Sequence, residues 1–587
     1  MHGFFGRMLV ANATTHSCHI EELPEELYVK YLGGKGIGTH LLVENTVAGI
    51  DPLSPENPLI ISLGPICDTK IWGGSRFGVH TKSPLTGFYC ESYSGGKLPE
   101  KMSRTGFDFF MIIGASETPV YLEITEEGGI FHPAEHLWGM ETYATEDALM
   151  EAYGGKGKCG AAVIGMAGEN LVPFAIIAND YWRCAGRTGT GAVMGSKKIK
   201  GMVFVAGEKK RTLADPVAVE LFAKKTLAET KDSQPVQNYK RLGTPQMVSI
   251  VNELGSLPTR FWHNGKFADH AQINGQKMAE KGAKPRACAR CYIACGKLMK
   301  IEEGPYAGTT VEGPEFETAM TLGSLCLIND IEAIAYLNDL CDRIGVDTIT
   351  AGHLVAMAMD ASDRGLISES YKYGDVAAAE SLLRQMSTRT GIGEILAKGS
   401  TIASEKLGMA GEAIHVKNLE PAAYDPRILK GMGLAYATSP RGACHLRSTV
   451  YKSEVSGKMP PDQIEGKASE VIDYEDRIVL HDMLILCRFY RDIYMWPELS
   501  EIIRMTTGLD MDRAGIQNMA RRVADLVRNY NIREGLSKSD DWLPERFFDE
   551  PLPETGAVIT REELETMRRE YYSERGWSED GVPVSQE

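Results

Sequence analysis

The chain has 587 residues, of which 43% are hydrophobic, and carries a formal net charge of −16 at pH 7. This length exceeds what a single hydrophobic core supports and predicts about three or four domain-sized units. The negative charge argues against nucleic acid and anionic membranes as partners, because both require a basic protein face.

Residues 1–206 are predicted to be β-rich, because short apolar runs alternate there with glycine-containing turns. We expect strands at 59–63, 109–113, 120–124 and 201–205. The run 120–124 ends in a Glu-Glu-Gly-Gly sequence, which is typical of a hairpin turn. Residues 207–216 are predicted to form a linker that leads into a helix.

From residue 217 onwards the apolar residues recur every three or four positions, as in 217–227 and 331–343. This spacing predicts helices. The sequence therefore indicates an α+β protein whose C-terminal two thirds is mainly helical.

Cys288, Cys291 and Cys295 follow the spacing C-x2-C-x3-C. Three thiolates at this spacing bind one face of a [4Fe–4S] cluster, which needs a fourth; Cys487 is our candidate. Zinc is a weaker interpretation, because structural zinc sites usually combine two C-x2-C pairs and the other nine cysteines contain none. A third interpretation is three buried thiols that pack as small apolar side chains.

Four glycine-rich segments occur in the β-rich region, at 33–38, 73–78, 94–97 and 186–197. The last one places backbone amides beside Arg187 and Lys197, which suits a phosphate. It matches neither the dinucleotide fingerprint nor the P-loop. One such segment is more often a tight turn, but four together predict backbone packed around a large anionic ligand.

Two segments share the pattern D-x-x-x-aliphatic-[D/C], one running from Asp342 to Asp347 and the other from Asp482 to Cys487. Either alone is an ordinary passage from a helix into a turn. The second ends in the proposed fourth cluster ligand, so it predicts a second ligand bound against the cluster.

These motifs in this order resemble the tungsten-containing aldehyde ferredoxin oxidoreductase family over nearly the whole chain. The resemblance is carried by YLGGKG at 31–36, TKSPLTGF at 81–88, AGRTGTGAVMGSK at 185–197 and YYSERGW at 571–577. It implies an N-terminal β domain (1–206) that forms the base for the cofactor, followed by two mainly helical domains (217–425 and 426–587). It also implies a tungsten or molybdenum bis-pterin cofactor, one [4Fe–4S] cluster, and Mg²⁺ bridging the pterin phosphates.

The same resemblance implies a set of site residues. The cluster ligands would be the three clustered cysteines and Cys487, and the Mg²⁺ ligands the backbone carbonyls of Tyr93 and Cys184. Ile485 departs from the family pattern D-x-x-G-L-C, in which glycine allows close backbone approach. The implied pterin contacts are Arg76, Tyr93, Ser94, Gly95, Arg183, Cys184, Gly186, Asp342, Val346, Asp347, Asp482, Leu486 and Cys487.

Glu317 and His445 match the family residues that face the metal, and the resemblance implies that both are catalytic. On residue type alone, Glu317 would be a solvated glutamate at a helix start and His445 an ordinary loop histidine. A carboxylate and an imidazole suit a reaction in which a carbonyl is polarised, water is activated and a proton is removed.

We therefore expect an enzyme that oxidises an aldehyde to a carboxylic acid with water and sends electrons through the cluster to ferredoxin or an iron–sulfur partner subunit. Two alternatives stay open: a low-potential reductase similar to the tungsten subunit of benzoyl-coenzyme A reductase complexes, and a non-catalytic electron-relay subunit.

Twelve cysteines are too few for a disulfide scaffold. With no signal segment or long apolar run recognised, we expect a cytoplasmic protein. The sequence leaves the substrate and the oligomeric state open.

Overall fold

A computed structural model describes residues 1–584 of the chain. Its strands lie mainly before residue 206, as predicted. In chain order they are β1 Arg7–Asn12, β2 Ser17–Glu22, β3 Leu59–Ser62, β4 Phe77–Lys82, β5 Tyr89–Ser94, β6 Phe109–Ile113, β7 Val120–Ile124, β8 Gly129–Pro133, β9 Cys159–Val163, β10 Ile177–Asn179, β11 Arg183–Ala185, β12 Ile199–Val205, β13 Lys284–Arg286, β14 Gly296–Lys300 and β15 Thr310–Glu312.

The helices dominate the chain after residue 215, which confirms the predicted α+β layout. In chain order they are α1 Glu25–Tyr31, α2 Gly34–Glu44, α3 Leu98–Ser103, α4 Thr142–Ala152, α5 Met166–Glu169, α6 Thr190–Ser196, α7 Pro216–Thr230, α8 Gln234–Leu242, α9 Met247–Glu253, α10 Gly275–Glu280, α11 Phe316–Thr318, α12 Ile331–Ile344, α13 Thr348–Asp363, α14 Val376–Thr388, α15 Gly393–Leu396, α16 Ser400–Lys406, α17 Lys430–Thr438, α18 Tyr451–Val455, α19 Lys467–Leu484, α20 Trp496–Thr507, α21 Arg513–Arg533, α22 Arg546–Asp549 and α23 Arg561–Arg575.

Two six-stranded sheets make up the N-terminal region, with strand orders β2-β1-β6-β3-β4-β5 and β11-β10-β9-β12-β7-β8. The predicted hairpin is present, since β7 and β8 pair antiparallel from Val120 opposite Pro133 to Ile124 opposite Gly129. The edge strands β5 and β11 lie against each other, and Ser94 at the end of β5 donates to Asn179 of β10 at 2.6 Å. The two sheets therefore present the ends of β5 and β11 to one common space.

The helical part closes over the sheets through shared cores. Apolar side chains of the first sheet and α2, such as Ile37 and Ile60, pack with Leu480 and Leu484 of α19 and with residues of α20 and α21. A separate and larger core joins α12, α13 and α17. Because α19 packs on the first sheet, its C-terminal end is brought next to the glycine-rich turns of the N-terminal region.

A three-stranded sheet in the order β13-β14-β15 interrupts the helical part and was not predicted. Its strands are three to five residues long, and β13 reads Lys-Pro-Arg, which gives no apolar alternation. Arg286 pairs with Gly296, so the connection 287–295 that holds the cysteine trio is a hairpin loop. The sheet thus fixes both ends of that loop.

Within residues 1–584 no single helix is both long and apolar enough to cross a membrane. The segments Phe316–Cys326 and Ile331–Ile344 meet those limits only when they are joined across a bend of 114°.

Candidate active site

The four predicted cluster thiols line one small cavity. Cys288, Cys291 and Cys295 come from the loop between β13 and β14, and Cys487 comes from the segment after α19; the cavity has a volume of about 50 Å³. Two other buried cysteines, Cys341 and Cys444, do not line it. The structure therefore brings together the cysteines that the spacing and the resemblance predict.

The spacing of these thiols bears on the zinc alternative. Among residues 1–584 no group of three or more His, Cys, Asp or Glu is placed to hold a single metal ion. A zinc ion with Zn–S bonds of about 2.3 Å would draw its thiolates to within about 4 Å of one another. A cluster binds each thiolate at a separate iron, so it does not require so close an approach.

A buried ammonium group holds the cluster loop in place. Lys297, at the start of β14, is 2% exposed. Its Nζ carries three N–H donors and lies within hydrogen-bond distance of the backbone carbonyl oxygens of Ala294 (3.3 Å), Cys295 (3.4 Å), Gly296 (3.1 Å), Tyr239 (3.1 Å) and Lys240 (3.0 Å). The last two belong to the C-terminal turn of α8, where the helix dipole favours a cation, and the Tyr239 carbonyl also accepts from the Gly243 amide at 2.9 Å. One side chain therefore ties the cluster loop to this helix.

A larger cavity of about 360 Å³ lies beside the thiols and shares Arg76, Cys487 and Phe489 with their cavity. Its walls come from the ends of β5 and β11, from α11, and from the segments 441–451 and 487–491. The predicted site residues that line it are Arg76, Tyr93, Cys184, Gly186, Glu317, His445 and Cys487. We call it the catalytic cavity.

The aspartates of the two predicted motifs stand behind this wall and hold the groups that form it. Asp482 accepts from Arg447 (2.7 Å) and Arg488 (2.7 Å). Asp347 caps α13 and accepts from Arg187 Nε at 3.2 Å. Asp342 accepts from Cys184 Sγ at 3.7 Å.

Five further predicted pterin contacts, Ser94, Gly95, Arg183, Val346 and Leu486, do not line the catalytic cavity. Arg183 instead lines the thiol cavity. Gly95 lies against the same thiols, because a Cβ there would come within 3.0 Å of Cys288 Sγ. Ser94 is bonded to Asn179.

The two motifs end their helices in the same way, although one has glycine and the other isoleucine. Gly345 follows α12 with φ +84°, and Ile485 follows α19 with φ +56°. A β-branched residue is disfavoured in this left-handed region. Ile485 is nevertheless buried against Gly34 and Gly64, which leave room for its side chain. Ile485 therefore adopts the same left-handed turn as Gly345, and burial of its side chain offsets the conformational energy of this backbone geometry.

Six arginines, which we call the arginine ring, line the catalytic cavity, and four of them (Arg441, Arg447, Arg488 and Arg491) were not predicted from the sequence. Arg447 is 3% exposed, and its Nε and Nη2 have no hydrogen-bond partner within residues 1–584; Arg491 Nε is likewise unpaired there. Buried donors without acceptors are costly, so these groups fit an anionic ligand such as a pterin phosphate. The arginines that line the catalytic cavity are Arg76, Arg187, Arg441, Arg447, Arg488 and Arg491.

The segments RGACHLR at 441–447 and Cys-Arg at 487–488 carried a signal for this ring, because they place basic residues beside predicted site residues. The expectation for Lys197 was wrong. Its Nζ donates to the carbonyls of Pro55 (3.1 Å) and Gly114 (3.2 Å), away from the catalytic cavity, because α6 separates it from Gly186. Arg187 is the cation of that segment which reaches the cavity.

Glu317 and His445 meet at the wall of the catalytic cavity, with His445 Nε2 at 3.5 Å from Glu317 Oε1. The other oxygen of Glu317 accepts from the Ala423 amide at 2.7 Å. Burial raises the pKa of Glu317 to about 8. Burial, with help from Arg187 and Arg441, holds the pKa of His445 well below its usual value. Near pH 7 the pair is therefore a protonated carboxyl group beside a neutral imidazole.

Aromatic and apolar side chains form the wall next to this pair. The ring of Tyr424 lies 5.9 Å from that of His445 and stacks on Tyr451 at 4.1 Å. Met247, Phe316 and Ile349 also line the catalytic cavity. The cavity thus combines a cationic region, suited to an anionic cofactor, with an apolar region beside Glu317 and His445.

Comparison with known proteins gives matches along nearly the whole chain. The family model for the aldehyde ferredoxin oxidoreductase N-terminal domain matches residues 8–206, and the model for domains 2 and 3 of the same family matches residues 221–587. The chain is 35% identical to a tungsten-containing aldehyde ferredoxin oxidoreductase of Pyrococcus furiosus and 36% identical to one of Thermococcus kodakarensis. Both matches cover 99% of this chain and 97% of the relative.

Two more distant similarities extend the comparison. The chain is 26% identical to the WOR-like subunit of an aliphatic sulfonate oxidoreductase of Pyrococcus furiosus, over 99% of this chain and 96% of the relative. The active-site complex of benzoyl-coenzyme A reductase with 1,5-dienoyl-coenzyme A has the same fold, with a TM-score of 0.86 and 22% identity. That match covers 99% of this chain and 96% of the other.

Proposed function

Because this chain belongs to the aldehyde ferredoxin oxidoreductase family, we propose that it oxidises an aldehyde to a carboxylic acid with water. The observation that carries the proposal is the catalytic cavity, which places Glu317 and His445 together with buried arginine donors that lack acceptors. Membership implies a tungsten–pterin cofactor, and an anionic pterin phosphate fits those donors. The four thiols beside the cavity fit one [4Fe–4S] cluster.

The proposed reaction takes RCHO and H₂O to RCOOH, two electrons and two protons. When bound, the metal would supply an acceptor for the electron pair, and the cluster would supply a one-electron path out of the site. His445 holds the aldehyde by donating from Nε2 to the carbonyl oxygen, which it can do as a neutral imidazole. Glu317 in its carboxylate form takes a proton from the attacking water. The apolar wall around Tyr424 keeps other water away from the pair.

Several finer assignments belong to the same proposal. We assign residues 1–206 to the cofactor base and residues 217–425 and 426–587 to two helical domains. The Tyr93 and Cys184 carbonyls would hold Mg²⁺; the Tyr93 carbonyl accepts from Arg76 at 3.2 Å, which uses one of its two lone pairs. The electron acceptor would be ferredoxin or an iron–sulfur subunit.

Anaerobically purified protein should contain iron and sulfide for one [4Fe–4S] cluster together with tungsten or molybdenum, and should reduce a viologen dye when an aldehyde is added. It should not reduce NAD, because the glycine-rich segments match no dinucleotide fingerprint. Elemental analysis tests the metal content, and separate assays of viologen reduction and NAD reduction test the other two statements. Iron without tungsten or molybdenum would favour an electron-relay subunit, and NAD reduction by the isolated chain would reveal a missed nucleotide site.

A second candidate is the reverse, low-potential direction, with a carboxylic acid derivative as substrate. This candidate is retained because the chain shares its fold with the benzoyl-coenzyme A reductase active-site complex. Benzaldehyde with oxidised viologen and benzoyl-coenzyme A with reduced viologen separate the two candidates, because each assay follows one direction. Turnover of the thioester without turnover of any aldehyde would replace the first proposal with the second.

The pH dependence should report the state of Glu317. A general base has to be deprotonated, and burial raises the pKa of Glu317 to about 8. We therefore expect kcat/KM to rise about tenfold per pH unit well below that value and to level off above it. Viologen reduction with an uncharged aldehyde, measured at constant ionic strength, gives the profile. A profile that is flat, or that falls with rising pH across this range, would rule out Glu317 as the base.

A further inference from the structure

A second cavity opens at the surface beside the catalytic one. We call it the outer cavity; its volume is about 350 Å³, and it lies between α7, α8 and the segment 489–501. Its rim carries charged side chains exposed to solvent, among them Lys225, Glu229, Asp492 and Glu501. A small molecule can therefore reach the outer cavity directly from solution.

The outer and catalytic cavities share two lining residues, Tyr239 and Phe489. The ring centroids of these residues are 4.9 Å apart with the planes inclined at 59°, so the rings are in direct contact. Lys452 stands on the outer side, with its Nζ 5.7 Å from the Tyr239 ring and 3.4 Å from Asp492. The two rings thus form the boundary between a solvent-open space and the space that contains Glu317 and His445.

The backbone under this boundary is anchored, whereas the rings are only half-buried. Tyr239 lies near the end of α8, where Lys297 binds its carbonyl oxygen. Phe489 follows Arg488, which is bonded to Asp482. Side-chain rotation of partly exposed rings is fast compared with typical turnover. Passage by this route would therefore depend on ring rotation about fixed backbone positions, which would admit narrow molecules more readily than wide ones.

We infer that Tyr239 and Phe489 are specificity-determining residues that set the width of the aldehyde reaching the catalytic cavity. The inference rests on the proposed function and deepens it, because the wall inside the boundary contains apolar side chains as well as arginines. Met247, Phe316 and Tyr424 line the catalytic cavity there. The substrate class that fits is an uncharged, narrow aldehyde, either aliphatic or with a single aromatic ring.

The test compares acetaldehyde with the wider 2-naphthaldehyde in viologen assays. In Tyr239→Ala the ratio of kcat/KM for 2-naphthaldehyde to that for acetaldehyde should rise about tenfold or more, the scale on which pocket walls discriminate. Phe489→Leu should change the ratio in the same direction. Tyr239→Phe keeps the ring and should retain the wild-type ratio.

Val236→Ala is the matched control, because Val236 lies one turn earlier on α8 and lines the outer cavity only. Its ratio should stay within about twofold of wild type. Iron content is measured for each variant, since Phe489 lies two residues from Cys487. An unchanged ratio in both Tyr239→Ala and Phe489→Leu, at full iron content, would overturn the inference.

Binding of 2-naphthamide and acetamide gives a readout without turnover, because amides keep the carbonyl but lack the oxidisable aldehyde C–H bond. The association rate of 2-naphthamide should rise about tenfold in Tyr239→Ala and that of acetamide should not. If the wild-type protein oxidised no aldehyde but the association rate of 2-naphthamide rose in Tyr239→Ala, the role of the boundary would be supported and the proposed function would be wrong. If aldehydes were oxidised but the association rates of both amides were unchanged, the boundary would fall and the proposed function would stand.

Discussion

Replacing Cys487 with serine should lower both the iron and the tungsten or molybdenum content of the purified protein. A serine hydroxyl is a poor substitute for a thiolate at iron. Loss of an outer-shell partner alone lowers metal affinity about 10- to 100-fold, and loss of a ligand should cost at least as much. The tungsten or molybdenum content should also fall, because Cys487 lines the catalytic cavity as well as the thiol cavity. Elemental analysis and the EPR spectrum of the reduced protein measure both effects.

Cys341→Ser is the control for this substitution. Cys341 is buried within α12 and does not line the thiol cavity, so its loss should leave the iron content unchanged. If Cys487→Ser kept four irons per chain with an unaltered EPR signal, another cysteine would have to be the fourth ligand.

Replacing Glu317 with glutamine should lower turnover by roughly a hundredfold or more while iron and tungsten or molybdenum contents stay at wild-type levels. Glutamine keeps the volume of the side chain and can still accept from the Ala423 amide, but it cannot take a proton from water. A positioned acid–base group usually contributes about 10²- to 10⁴-fold. Steady-state viologen reduction beside elemental analysis separates loss of the base from loss of the cofactor.

Glu315→Gln provides a matched control, since Glu315 also lines the catalytic cavity but forms its hydrogen bond with Thr244 instead of facing His445. Its turnover should fall by much less than that of Glu317→Gln. Wild-type turnover in Glu317→Gln would remove this residue from the mechanism.

The sequence predicted those strands and helices in which apolar residues recur with the period of the element itself. The alternation at 120–124 gave β7 and its hairpin, and the apolar spacing at 331–343 gave α12, because each pattern exposes one face of its own element. The sheet β13-β14-β15 escaped detection because its short strands form through pairing across the cluster loop. Strands β13 and β14 do not alternate between apolar and polar residues, and β15 is only three residues long.

The candidate site was predictable only where its residues are close in sequence, or where the family resemblance implies that residues distant in sequence lie close together. Spacing identified Cys288, Cys291 and Cys295, whereas the approach of Cys487 depends on how α19 packs against the first sheet. The arginine ring depends likewise on contacts between distant segments. Arg187, for example, is held by the carbonyl of Glu420 at 2.9 Å.

Lys297 has a consequence for how the cluster is assembled. Its Nζ contacts carbonyls of the loop that carries the thiols and of α8, and each of these partners is a group of this chain. Contacts within the chain contribute to closing that loop, so iron and sulfide need not offset all of the conformational entropy that closure costs. The protein should therefore capture iron and sulfide more tightly than a free peptide with the same cysteine spacing.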